Sequence, residues 1–175
     1  MSSKTILETA RLRLRQLSAG DAEFIVELLN DPAFLRNIGD RGVRTLGDAM
    51  RYIRDGPVEN YARLGFGLWR VELKESSVPL GICGLLKRDA LDDVDIGFAF
   101  LPRFWFAGYA FESASAVMRY ARDVLRFNRV VAVTNPDNIG SIRLLEKLGM
   151  RFERLVRLTA DGTELKLFAV NSEVV

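Results

Sequence analysis

The residues best suited to chemistry lie in two stretches, GFAFLPRFWFAGYAFE and PDNIGS. In the first, Gly108 and Ala110 flank Tyr109 where a helix should begin. The first amide groups of a helix lack intrahelical partners, and the helix dipole adds partial positive charge there. With side chains this small, the backbone can come close to a pyrophosphate, although an ordinary loop-to-helix junction has the same pattern. In the second stretch Asn138 is a good N-cap, and Ser141 follows at the start of the same helix. Two helix N-termini at one edge of a sheet suit a phosphate-tailed ligand. If the strands part beside them, backbone groups of Phe98–Leu101 are free to bond an extended, amide-bearing arm.

The chain has no histidine. That removes Ser-His-Asp and Cys-His nucleophile systems and most catalytic zinc sites, and no metal is expected. Proton transfer falls to carboxylates, Tyr, Lys, Ser, a terminus or water. No Gly-Lys pair occurs, which excludes a Walker A loop, and Gly65-Phe66-Gly67 lacks a third glycine and enters a strand. Cys83, the only cysteine, sits in the apolar run GICGLL, so a buried core thiol and a reducing compartment are expected. Twenty-five basic and 23 acidic residues give a net charge of +2, too balanced to argue for nucleic acid or a membrane surface. No long apolar run or secretory core is present, and a cytoplasmic protein is expected.

A definite order of elements must position these residues. At 175 residues, 49% apolar and 27% charged, the chain suits one domain, residues 1–175, with a real core. Arg11–Leu17 alternates as a strand. Ser18 and Asp21 open a helix carrying Phe24, Ile25, Leu28 and Leu29, which Asp31-Pro32 stops. A loop over 36–45 leads to a short helix over Leu46–Arg54, ended by Gly56-Pro57. Segments 65–73, 79–87 and 93–102 read as three antiparallel strands. The spacing of Phe111, Ala114, Val117, Met118, Ala121, Val124 and Leu125 predicts a helix with one buried stripe, and 129–134 is an apolar strand. Strand, helix and strand then make a crossover with a parallel pair. A helix capped by Asn138 and closed at Gly149 precedes a hairpin turning at Asp161-Gly162. The expectation is an α/β (α+β type) domain: a mostly antiparallel seven-stranded mixed sheet, a central parallel pair and about four helices.

DIGFAFLPRFWFAGYAFESA, NIGSIRLLEKLGMRFE and the opening TARLRLRQLSAGDAEFIVELLNDP together resemble the GNAT superfamily of acyl-CoA N-acyltransferases, in particular its RimJ/RimL-like branch. The resemblance covers nearly the whole chain and implies the GNAT fold, with acetyl-CoA as co-substrate in a slot where the parallel pair splays. It maps the pyrophosphate loop onto Trp105, Phe106, Ala107, Gly108, Tyr109 and Ala110, with Trp105 at a position that is polar in the wider family. At Phe106 and Ala107 the branch commonly carries a glycine and a basic residue, so Arg103, Arg143 or Lys147 is expected to bring the cation. Backbone groups at a strand bulge near Phe98, Ala99 and Phe100 would polarise the acetyl carbonyl.

Many members use a tyrosine as thiolate acid where this chain has Leu145, which leaves Ser141 as the substitute. Asn138 and Ser141 also fall where the family contacts the cofactor arm. Asp95, where some members carry a glutamate, is the candidate base, with Glu72 or water as alternatives; Asp92 and Asp93 read as solvated turn residues. Tyr61, Phe66, Trp69 and loop 37–47 either line the acceptor side or pack in the core. The resemblance implies direct attack by a primary amine, a protein N-terminus or a small molecule, in a ternary complex. The alternative is a non-catalytic acyl-CoA sensor on the same scaffold. A homodimer is compatible with either reading.

Overall fold

In β2 (Leu12–Arg15) the alternation buries Leu12 and Leu14 completely and turns Arg13 and Arg15 to the other face. The computed structural model describes residues 3–172. Before β2, the strand β1 (Thr5–Glu8) pairs antiparallel with it. β1 is too short to show a period, which is why the sequence pattern indicates seven strands where eight form among the described residues. Ser18 and Asp21 make a reciprocal capping box around a 3-10 turn, which leads into α1 (Ala22–Asn30).

Asp31-Pro32 both ends α1 and starts α2 (Pro32–Asn37). The Asp31 carboxylate accepts from the Ala33 N–H, and Pro32 occupies the first turn, where its missing N–H costs nothing. A Thr45–Asp48 capping box opens α3 (Leu46–Ile53). Gly56-Pro57 does not end this segment, as its composition suggested. A wide turn over 54–58 absorbs the proline and continues into α4 (Glu59–Leu64), which stops at Gly65 with φ of +78°.

The strands β3 (Leu68–Leu73), β4 (Pro79–Leu86) and β5 (Val94–Phe100) are antiparallel neighbours. The helix α5 (Tyr109–Asp123) crosses from β5 to β6 (Arg129–Thr134), its parallel partner. α6 (Ile139–Lys147) then precedes the hairpin β7 (Arg151–Val156) and β8 (Leu165–Asn171). Strand order is β1-β2-β3-β4-β5-β6-β8-β7.

The sheet carries a core on each face. Leu12, Leu14, Trp69, Val71, Cys83, Leu85 and Ile96 pack against Ala114, Val117 and Ala121 of α5. Ile82 and Leu101 pack on the other face against Phe24, Ile25 and Leu28 of α1 and Ile53 of α3. Cys83 is fully buried, and burial pushes its thiol up to about 12, as expected of a core residue. Among the described residues, no helix is long and apolar enough to cross a membrane.

Candidate active site

β5 pairs with β4 from Asp95 to Phe100, but with β6 only at Val94 and Asp95. β6 meanwhile stays paired with β8 along its whole length. The parallel pair therefore parts after Asp95 and leaves one edge of β5 unpaired. The Leu101 N–H donates to Leu80 O at 2.9 Å, which fixes which residues face β4. Hydrogen-bonding direction alternates in an antiparallel pair, so Ala99 also bonds toward β4, while Phe98 and Phe100 turn their N–H and C=O to the gap.

The expected trio is thus corrected. Phe98 and Phe100 face the slot, and Ala99 does not. The expected bulge is absent as well, since the β4–β5 register runs unbroken; the opening comes from β6 leaving. The Phe100 carbonyl is already used, accepting from Trp105 Nε1 at 2.8 Å. Phe98 keeps both backbone groups for an extended ligand.

That indole bond anchors the loop after β5. Phe104 is half-buried against both cores. Phe106 is fully exposed with φ of +63°, so it plugs nothing and anchors nothing. A non-glycine residue in this region costs about 1 kcal/mol, which accounts for a glycine being usual at this position of the resembled branch. Gly108 follows at φ of +82° and is the N-cap of α5, with no side chain capping the helix. Ala107 and Gly108 are exposed, and Tyr109 and Ala110 half-buried, so the loop presents bare backbone at a helix start, as the sequence indicated.

The cations are arranged differently from expectation. Arg103 pairs with Glu27 of α1 and lies over the Phe104 ring. Lys147 sits 4.2 Å over the ring of Phe111 in the first turn of α5. Arg143 is exposed, with no ion pair among the described residues. The cation that touches the loop is Arg11, which donates to Ala107 O at 3.0 Å. Sequence gives no local signal for it, because it reads only as one polar residue of an alternating strand.

At the start of α6 the Asn138 side chain accepts from the Ser141 N–H at 3.2 Å, the cap its type predicts. The Ser141 hydroxyl makes no hydrogen bond among the described residues, so it is not spent on its own helix start. Leu145 is 1% exposed and belongs to the core. The Asn135 side chain donates to Asn37 O at 2.7 Å, tying the segment after α2 to the C-terminal end of β6. Loop 37–47 therefore begins at the mouth of the gap. Trp69 and Phe66 are core residues instead of an acceptor lining, edge-on to Tyr120 and Phe127. The Tyr61 hydroxyl is bonded to Leu17 N–H and Leu68 O.

Two carboxylates were candidates for a base. Glu72 is met by Arg13 at 3.3 Å, Arg15 at 3.1 Å and Arg70 at 2.9 Å, on strands away from the gap. It is a structural charge, which corrects that expectation. Asp93 pairs with Arg129 at 2.9 Å, and Asp92 is exposed. Asp95 differs from all of these. It is 1% exposed, its Oδ2 accepts from Arg88 Nε at 3.0 Å, and its Oδ1 has no partner among the described residues. Burial raises its pKa above the ordinary carboxylate value, and the Arg88 charge offsets this only in part. It stands where the parallel pair ends, on the sheet face shared with Gly97 and Ala99.

A mixed sheet that parts after one parallel pair, with two helix N-termini beyond the gap, is the architecture of an acyltransferase domain that takes an extended acyl carrier. The chain belongs to the GNAT acetyltransferase family: residues 11–151 match the acetyltransferase (GNAT) domain. It is 31% identical to YkkB of Bacillus subtilis over 90% of this chain and 91% of that one. It is also 31% identical to the N-acetyltransferase YoaA of the same organism, over 87% and 86%. Its fold matches that of RimL, a ribosomal L7/L12 alpha-N-protein acetyltransferase solved with coenzyme A. The TM-score is 0.80 at 17% identity, over 96% of this chain and 98% of that one.

Proposed function

We propose that this domain transfers acetyl from acetyl-CoA to a primary amine by direct attack in a ternary complex. Family membership supports the reaction class. The observation that carries the mechanism is the gap itself: it begins beside a buried carboxylate with one free oxygen and ends at two helix starts. Bound acetyl-CoA would supply an activated acyl thioester. The residues fit it: Phe98 offers an N–H and a C=O to an amide-bearing arm, and the Phe100 N–H faces the same gap. Gly108, Tyr109 and Ala110 present unpaired backbone N–H groups to a pyrophosphate.

Asp95 Oδ1 accepts the proton the amine sheds, and its raised pKa brings it nearer the working range of a general base. Ser141 holds a hydroxyl proton for the leaving sulfur, and Asn138 fixes the turn that carries it. The acceptor is a protein N-terminus or a small amine. RimL's activity and the segment at the gap mouth support a peptide N-terminus as the first to test.

The test is thermal melting with acetyl-CoA, followed by turnover on N-terminal peptides and a panel of small amines. Melting that shifts upward and turnover on at least one amine are expected. No shift at millimolar acetyl-CoA would sink the proposal. A shift without turnover on any acceptor would favour the sensor reading, for which the apolar Leu145 in place of a tyrosine is the supporting observation.

A further inference from the structure

Glu112 lies in the first turn of α5, two residues past the last of the amide groups offered to the pyrophosphate. A carboxylate there is favourable to the helix dipole but unfavourable to a second anion at the same end. Both of its oxygens are held by the segment before β2. Oε1 accepts from Thr9 Oγ1 at 2.5 Å and from the Arg11 N–H at 2.9 Å, and Oε2 accepts from Arg11 Nε at 2.7 Å. Burial pushes its pKa up, but these bonds outweigh burial and hold it below the ordinary value. Glu112 is therefore charged at neutral pH.

The same guanidinium reaches the loop. Arg11 Nη1 donates to Ala107 O at 3.0 Å, and the guanidinium carbon lies 4.4 Å from the centre of the Tyr109 ring. Its Nη2 comes within 3.3 Å of where a Cβ on Gly108 would stand, so a side chain there would crowd it. One residue just before β2 thus holds the loop carbonyl, stacks on the first helical residue and neutralises the acid beside them.

Building on the acetyl-CoA reading, we infer that Arg11 is a positioning residue for the pyrophosphate loop. It fixes the loop backbone and cancels the Glu112 charge, supplying from the β1–β2 turn the cation that Ala107 does not carry. A purely structural clamp between the β1–β2 turn and α5 would use the same contacts, but the two roles differ in sign when Glu112 is neutralised. In a clamp, losing either partner weakens the site. In a charge-cancelling node, losing Arg11 exposes an anion, whereas losing the anion does not.

The experiment compares binding of acetyl-CoA with binding of S-acetylpantetheine, which lacks the pyrophosphate, by calorimetric titration. Arg11→Met should weaken acetyl-CoA by about tenfold and leave S-acetylpantetheine nearly unchanged. Glu112→Gln should not weaken acetyl-CoA. The double variant should recover part of the loss of Arg11→Met. Equal losses for both thioesters, or weakening by Glu112→Gln with no recovery in the double variant, would reduce Arg11 to a clamp and overturn the inference. A wild-type protein that binds acetyl-CoA no better than S-acetylpantetheine would instead remove the pyrophosphate site, and the role of Arg11 with it. If Arg11→Met does not fold, Glu112→Gln alone still decides by the sign of its effect on acetyl-CoA.

Discussion

Two buried carboxylates stand on the same sheet, and their surroundings differ in kind. Glu72 and its neighbour Asp21 are met by three arginines: Arg13 pairs with Glu72, and Arg15 and Arg70 form ion pairs with both acids. This cluster joins β2 and β3 to the turn that opens α1. Asp95 has one arginine, which bonds one of its two oxygens. A buried carboxylate normally finds partners for both oxygens, because an unpaired one costs free energy. In the cluster Arg70 Nε lacks a hydrogen bond, but both oxygens of Glu72 and both of Asp21 have partners, which is what a structural carboxylate looks like. The unsatisfied one, at the point where two strands part, has capacity left for a proton.

The contrast is broken most directly by neutralising each acid. Asp95→Asn should lower kcat by about a hundredfold or more, the usual range for loss of a general base. Its melting temperature should not fall, because the variant no longer buries a charge that is only partly paired. Steady-state kinetics alongside a melt would check both; a large loss of stability with kcat intact would return Asp95 to a structural role. Glu72→Gln should do the reverse. It should cost about 2 kcal/mol of stability, less than a wholly buried pair because its arginines keep an edge in water. Chemical denaturation measures this, and kcat should stay near the wild-type value.

Ser141→Ala sharpens the comparison from the other end of the gap. The hydroxyl is free while the backbone N–H serves the Asn138 cap, so removing the oxygen should spare the helix start. We expect kcat to fall about tenfold with little change in acetyl-CoA affinity, as measured by initial rates and titration. An unchanged kcat would take Ser141 out of the mechanism.

What was legible in the sequence follows the range of each interaction. The crossover β5–α5–β6 and the Asn138 cap depend on period and on neighbours three or four residues apart, and they stand where the pattern put them. Gly56-Pro57 was misleading because a wide turn can carry a proline that a regular helix cannot. The sequence put Asp95 ahead of Glu72 as the candidate base, but the pairing that separates the two acids was not legible. The partners of Glu72 lie on β2, nearly sixty residues earlier in the chain, and only the folded register brings them together. Arg11 escaped notice for the same reason, since its partner Glu112 is about a hundred residues away. Local chemistry locates a gap, but which charges surround it is a property of the sheet.

The smallest expected effect is also the one whose sign separates the two regions. Burial raises the Asp21 pKa, but its bonds from Arg15 and the Ser18 N–H outweigh this and lower it overall. Such a group adds stability above the ordinary value of 3.8, and that stability is lost as pH falls through the lowered folded value. Asp95 is shifted the other way, so its neutral form is the one the fold favours. Its contribution is fully present below 3.8 and is lost as pH rises through the raised folded value. Melting temperatures of wild type, Asp21→Asn and Asp95→Asn across the acid range should therefore diverge in opposite senses. Asp95→Asn should gain on wild type as pH rises from 3.8 through the raised folded value, and Asp21→Asn should lose ground at lower pH, as pH rises from the lowered folded value to 3.8. The rate should follow the first curve, since kcat with a neutral acceptor amine needs Asp95 ionised and should fall as pH drops through its raised pKa. If the two variants instead run parallel to each other, Asp95 is paired as fully as Asp21, and its free oxygen cannot be what accepts the proton.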